Sequence, residues 1–144
     1  MSFAEDLWAY VTTRPTLAGL LGKRFYPHVA PDETIRGDAS YAIYFLVSAE
    51  RWRTGEGATG KKQARYQVEC WARTAIAARQ LADALYAALD SFKGTMGAST
   101  VDCVMAIDEQ DDLEMAADQD KRRWYGVRFD FMFWHGEARP ANAR

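Results

Sequence analysis

The residue pattern predicts an α+β domain. It has a four- to five-stranded, mostly antiparallel sheet, with an N-terminal helix and one long amphipathic helix packed on one face, in the order α-(β)-β-β-α-β-β. Three observations predict it. Residues 74–92 repeat apolar side chains at helical spacing. Residues 65–72 and 124–134 alternate apolar and polar side chains, as strands buried on one face do. A Gly-rich stretch separates 65–72 from another strand-like run at 41–47, which reads as a hairpin.

Taken in order, Ser2-Phe3-Ala4-Glu5 spells a capping box, and Phe3, Leu7, Tyr10 and Val11 then share a helical face. Arg14-Pro15 ends that helix, because Pro pushes the residue before it out of the helical region. A second short helix holds Leu17, Leu20 and Leu21 and stops at Gly22. Arg24-Phe25-Tyr26 reads as a short edge strand between prolines and glycine, and residues 34–40 read as polar loop.

Residues 41–47 carry apolar side chains on both faces. One face calls for cover by a helix and the other for cover by a neighbouring subunit. Residues 54–62, with Gly55, Gly57 and Gly60, read as a long, loose hairpin tip. In the next strand Tyr66, Val68, Cys70 and Ala72 point one way, and Arg65, Gln67, Glu69 and Trp71 the other.

Thr74 is placed to cap the long helix. Its apolar stripe reads Ile76, Ala77, Leu81, Ala84, Leu85, Ala88, Leu89 and Phe92. After a loop at 95–100, Val101, Cys103, Met105 and Ile107 predict one face of a third strand, followed by an acidic loop. In the last strand Tyr125, Val127, Phe129, Phe131 and Phe133 oppose Arg128 and Asp130. Residues 1–135 form one domain on this reading, and 136–144 a polar tail expected to be mobile.

Bulk properties narrow the class. A chain of 144 residues, 49% hydrophobic and 26% charged, suits one globular domain with a sizeable core. A formal charge of -2 argues against a dedicated nucleic-acid binder. Cys70 and Cys103 read as small buried hydrophobes, with a disulfide left open. The N-terminus does not resemble a signal peptide and no apolar run reaches membrane-spanning length, so synthesis in the cytosol is expected.

Motifs for chemistry fail on inspection. Gly55 to Lys62 nearly spells a phosphate-binding loop, but Lys62 stands where Ser or Thr must hold Mg²⁺, and a strand pattern follows where a helix is needed. A calcium loop starting at Asp108 would need Gly at Leu113 and Glu at Gln119. His28 and His135, with the two cysteines, lack zinc-ligand spacing, and no nucleophile–base signature is present. Catalytic, cofactor and metal sites are therefore not assigned. Trp8, Trp71 and Trp134 read as core. Trp52 and Trp124 flank charged segments and divide between core and interface.

Several pieces, in this order, carry a resemblance: Leu20-Leu21-Gly22-Lys23-Arg24-Phe25-Tyr26-Pro27, Ala30-Pro31, Tyr41-Ala42-Ile43-Tyr44, Arg65-Tyr66-Gln67-Val68-Glu69-Cys70-Trp71-Ala72, the helix through Leu81 and Leu85, Asp111-Asp112-Leu113-Glu114 and Arg128-Phe129-Asp130-Phe131-Met132-Phe133-Trp134. Together they resemble the bacteriophage tail-completion, or tail-terminator, proteins of siphovirus-type tails. The chain departs from that pattern at Gly37-Asp38-Ala39-Ser40, where the family often has Pro.

The resemblance implies a structural virion protein, not an enzyme and without cofactor, made in the host cytoplasm and located at the head–tail interface. It implies a homo-oligomeric ring of six copies that caps the head-proximal end of the tail tube, ends tube polymerisation and joins the head-completion or neck protein. DNA passes through the lumen without specific binding, and no membrane is involved. A gene transfer agent would be the same role in another setting. Another head–tail joining or tube-like component is an alternative, and a small-molecule-binding α+β domain sharing only topology is a second, from a different class.

A closed ring needs a patch that meets a different patch on the next copy. The hairpin offers Arg51, Arg53, Lys61, Lys62 and Arg65, with Trp52 beside them. The acidic run offers Asp108, Asp111, Asp112 and Glu114, with Trp124 beyond it. These are the candidate subunit and tube contacts. The acidic residues have a competing use as a lumen wall that repels DNA, and both sets have a plainer use as a solvated surface.

Overall fold

The structure, a computed structural model, describes residues 2–115 and 123–137. Asp118 and Asp120 of the acidic run lie outside them, as do residues 138–144 of the C-terminal tail.

The chain opens with α1 (Phe3–Thr13). Ser2 Oγ accepts from the Glu5 amide, and the Glu5 carboxylate accepts from the Ser2 amide, so two donors at the helix start are satisfied. Helix α2 (Pro15–Leu21) begins with Pro at a position where no N–H is needed. It ends at Gly22, whose φ of 57° is costly for any residue with a Cβ. Leu7, Val11, Leu17 and Leu21 are fully buried. Trp8 Nε1 donates to the Phe25 carbonyl at 2.9 Å, which ties α1 to the first strand.

Strand β1 (Phe25–Pro27) follows, then α3 (Asp32–Arg36), β2 (Tyr41–Thr54), β3 (Gly57–Ala72), α4 (Ala75–Leu89), β4 (Gly94–Met96), β5 (Ser99–Met115) and β6 (Arg123–Gly136). Among the described residues these strands form one six-stranded sheet in the order β1-β2-β3-β6-β5-β4. Only the β1–β2 pair is parallel.

The helices lie on one face. Phe129, Phe131 and Phe133 of β6, flanked by Tyr66, Val68 and Cys70 of β3, meet Ala78, Leu81, Ala82, Leu85 and Leu89 of α4 in the main core. Each buried Phe or Leu contributes about 1.5–3 kcal/mol relative to exposure. Thr74 caps α4 by accepting from the Ala77 amide at 3.1 Å. The Tyr10 hydroxyl donates to the Ala88 carbonyl at 2.7 Å and joins α1 to the end of α4.

Several expectations need correction. The polar stretch after Pro31 is not all loop, since Asp32–Arg36 turns once as α3. Residues 54–62 are not a loose tip. The turn is only Gly55-Glu56, with Thr54 paired to Gly57 and Arg53 to Ala58. Gly57 and Gly60 take φ of 114° and 84°, so glycine there serves a paired ribbon and not a floppy loop. Strand β3 runs straight on from this turn, so no helix follows the Gly-Lys run.

The acidic residues Asp108, Asp111, Asp112 and Glu114 are ladder residues of β5, whose pairing with β6 reaches Met115. The segment read as loop at 95–100 contains β4 and its turn. Ile76, counted in the buried stripe, is 73% exposed, and Ala78 and Ala82 take its place in the core. Gly136 still belongs to β6, and the Glu137 amide donates to the Gly60 carbonyl, so the first tail residues are held.

A second, smaller core covers the other face of the sheet at one end. Ala30, Tyr41, Trp71 and Trp124 are buried there, with Tyr26 and Ile43 against them. This cover comes from the chain itself, where a neighbouring subunit had been one expected source. The Arg73 guanidinium stacks 3.7 Å above the Trp124 ring and donates to the Gly37 and Ile35 carbonyls, and Trp124 Nε1 donates to Ile35. One cation thus pins α3 and its flanks to the sheet.

Candidate assembly surface

Beyond that small core the outer face of the sheet is uncovered by any described helix. Cross-strand pairing places Arg65 opposite Met132, Gln67 opposite Asp130, Met105 opposite Met132, and Gln63 opposite Trp134 on this face. It mixes apolar side chains with ion pairs. Arg65 Nη2 donates to Asp130 at 2.5 Å, and Arg128 Nη2 donates to Asp112 at 3.0 Å.

Shifts in strand register decide what projects. Val47 is an extra residue between Leu46 and Ser48, and Ile107 between Ala106 and Asp108. Trp52 sits in the irregularity between Arg51 and Arg53. All three are exposed apolar side chains: Val47 48%, Trp52 51% and Ile107 40%. An irregular ladder twists a strand and re-aims its side chains. A further shift at Asp102 turns β5 over, so that Val101 and Val104 are buried while Cys103 and Met105 belong to the outer face. The expectation of one face for Val101, Cys103, Met105 and Ile107 is corrected by these two shifts.

The predicted contact residues are distributed as follows. Trp52, Lys61, Asp102, Cys103 and Trp134 line an apolar groove of about 260 Å³ on the outer face, which Lys62 also borders. Lys61 Nζ is bound to Asp102 at 3.0 Å across its rim. Arg51 pairs with Glu137 at 2.6 Å, on the helix side of the hairpin. Lys62, opposite His135, is on that side too. Asp111 and Glu109 hold Arg79 of α4, so this part of the acidic run closes the subunit's own helix onto its sheet. Asp108 accepts from the Glu109 amide and from Gln110.

Arg53, at the hairpin end, makes no ion pair among the described residues. Glu114 pairs by backbone with Trp124, its side chain lying outside the described part. Trp124 is 3% exposed and belongs to the small core. Sequence reading thus located the hairpin and the exposed Trp52. It missed the Arg73–Trp124 stack and the intrachain use of most charges, because no local pattern reports which distant partner a charge meets.

The two cysteines are free. Cys70 lies opposite Val127 on the helix face and Cys103 opposite Trp134 on the outer face. Seven positions along β6 (134 minus 127) separate their partners, roughly 23 Å at ~3.3 Å per residue, too far for a disulfide. Burial, followed by the charge of Glu69, pushes the Cys70 thiol up to about 12.

A six-stranded sheet carries its helices on one face and extends into the long β2–β3 ribbon. The sequence profile of the family described as "Tail completion protein gp17" matches residues 5–136, and the chain belongs to that family: it is a structural protein of a phage-type virion tail. No curated protein matches it. Among solved structures, a chain of the "Virion of native gene transfer agent (GTA) particle" shares the fold. The TM-score is 0.65 at 15% identity, covering 92% of this chain and 96% of that one.

Proposed function

We propose that this chain closes into a ring on the head-proximal end of the tail tube, stops tube growth and presents its far side to a head or neck protein. The match to the tail completion family across 5–136 is the observation that carries the reading. The structural neighbour comes from a virion particle, in keeping with assembly among tail and head proteins. The role is one of contact and closure and not of turnover.

The geometry supports a division of labour among the candidate residues. The hairpin end, with Trp52 and Arg53, projects from the subunit and serves the next copy or the tube. Asp108, at the shift in β5, makes no ion pair among the described residues, unlike Asp111 and Asp112. Lys61, Arg51 and Arg65 are paired within the subunit, so using them between copies exchanges one carboxylate for another. Such an exchange sets register more than affinity.

Electron microscopy of the purified protein, alone and mixed with tube protein, tests the proposal. Rings or capped tubes of limited length are expected. A monodisperse small particle that leaves tube growth unlimited would overturn it.

A further inference from the structure

A second cleft, of about 690 Å³, opens on the helix side of the sheet, between the start of α1, the β4–β5 turn and the ends of β2, β3 and β6. Ser2, Phe3, Arg51, Lys62, Ser99 and His135 are among its lining residues. It includes Arg51 and Lys62 of the candidate contact set and lies apart from the hairpin end, Trp52 and Arg53, on which the proposed ring contact turns.

Three features of its chemistry are incomplete. First, His135 is only 2% exposed and its ring is stacked on Phe3 at 3.9 Å. Nδ1 faces the Gly136 carbonyl at 2.9 Å and so carries the hydrogen, whereas Nε2 is buried with no partner among the described residues. Buried polar atoms are nearly always partnered, so an orphan of this kind calls for an explanation. Second, Lys62, the cross-strand neighbour of His135, has a side chain 18% exposed. Its ammonium meets Glu137 only at 3.8 Å and makes no hydrogen bond among the described residues. Third, the two cations Arg51 and Lys62 share one carboxylate, that of Glu137, which sits at 2.6 Å from Arg51 but 3.8 Å from Lys62.

We infer that this cleft is a binding site for a carboxylate presented by a partner polypeptide, held by Lys62 and Arg51 with His135 at its floor. A carboxylate oxygen would accept from Lys62, and a second from a proton taken up at His135 Nε2. Glu137 shows that this cation pair accepts carboxylate geometry, and the charges of Glu137 and Asp102 beside His135 disfavour a phosphate dianion more than a monoanion. Binding couples to protonation of His135. The charged groups on the surrounding elements are Glu5 and Asp6 on α1, Arg51 on β2, Lys62 on β3, Asp102 on β5 and Glu137 after β6.

Nuclear magnetic resonance of the His135 ring in the full chain tests this, titrating sodium acetate, N-acetyl-glutamate amide and inorganic phosphate in turn. Saturable shifts with the two carboxylates in the millimolar range, a rise in the His135 pKa when they are bound, and weaker shifts with phosphate are expected. K62Q should abolish the response, and E137Q, which removes the internal competitor, should strengthen it several-fold. A response to phosphate alone overturns the assignment to carboxylates. No response, or one that survives in K62Q, overturns the site.

Discussion

The two faces of one sheet make opposite use of the same strands. Along β6, Phe129, Phe131 and Phe133 are fully buried beneath the helices, while Arg128, Asp130, Met132 and Trp134, each one residue away, stay partly exposed. Beneath the helices the sheet's face is an apolar core and supplies stability. The outer face alternates greasy side chains with ion pairs, a composition that resists indiscriminate sticking yet suits a specific partner. A strand's period of two lets folding and assembly be tuned almost separately, since a change at one position barely touches the next.

That separation can be broken or sharpened by substitution. The largest effect is expected on the helix face: Phe131→Ala should cost roughly 3–5 kcal/mol, read by chemical denaturation, because the cavity lies among rings that repack poorly. Next comes Gly126→Ala. A Cβ there would stand 2.6 Å from the Trp71 ring, so a loss of about 1–3 kcal/mol is expected, with near-ultraviolet circular dichroism reporting the displaced indole. A small loss in this variant would show that the outer-face core yields more readily than the main one.

A smaller effect is expected from His135. Burial, the dominant cause, holds its pKa below the ordinary 6.5, so the folded state disfavours the charged ring. Its contribution to stability is complete above that value and is lost as pH falls through it. Between about pH 7 and pH 5 the wild type should lose more stability than H135Q, measured by thermal melts at each pH. The smallest effect on folding is expected from W52S combined with R53E, within about 0.5 kcal/mol. The same pair should reduce ring or cap formation by electron microscopy. Unchanged assembly would remove the hairpin end from the contact set.

Much of this architecture is legible in the residues. The capping box at Ser2, the stop at Gly22, the Thr74 cap and the alternation of β3 and β6 each follow from local rules, and all four stand in the structure. What escaped was non-local. The Gly-rich ribbon looks loose because glycine marks both loops and twisted hairpins, and only its pairing to β2 decides between them. The acidic run looks solvated because Arg79, its partner, is some thirty positions away on α4. The shifts that present Val47 and Ile107 each insert one extra residue opposite the partner strand, to which periodicity is blind. The hairpin was therefore legible as a region, while the partner of each charge within it awaited the fold.

The placement of the two thiols has a practical consequence. Cys70 sits at 0% exposure with its ionisation suppressed, while Cys103 borders the groove beside Trp52 and Trp134. A maleimide dye should therefore modify the native protein at a single place without any engineered cysteine. That place lies next to two indoles, so its emission would report directly on whatever comes to rest against the outer sheet.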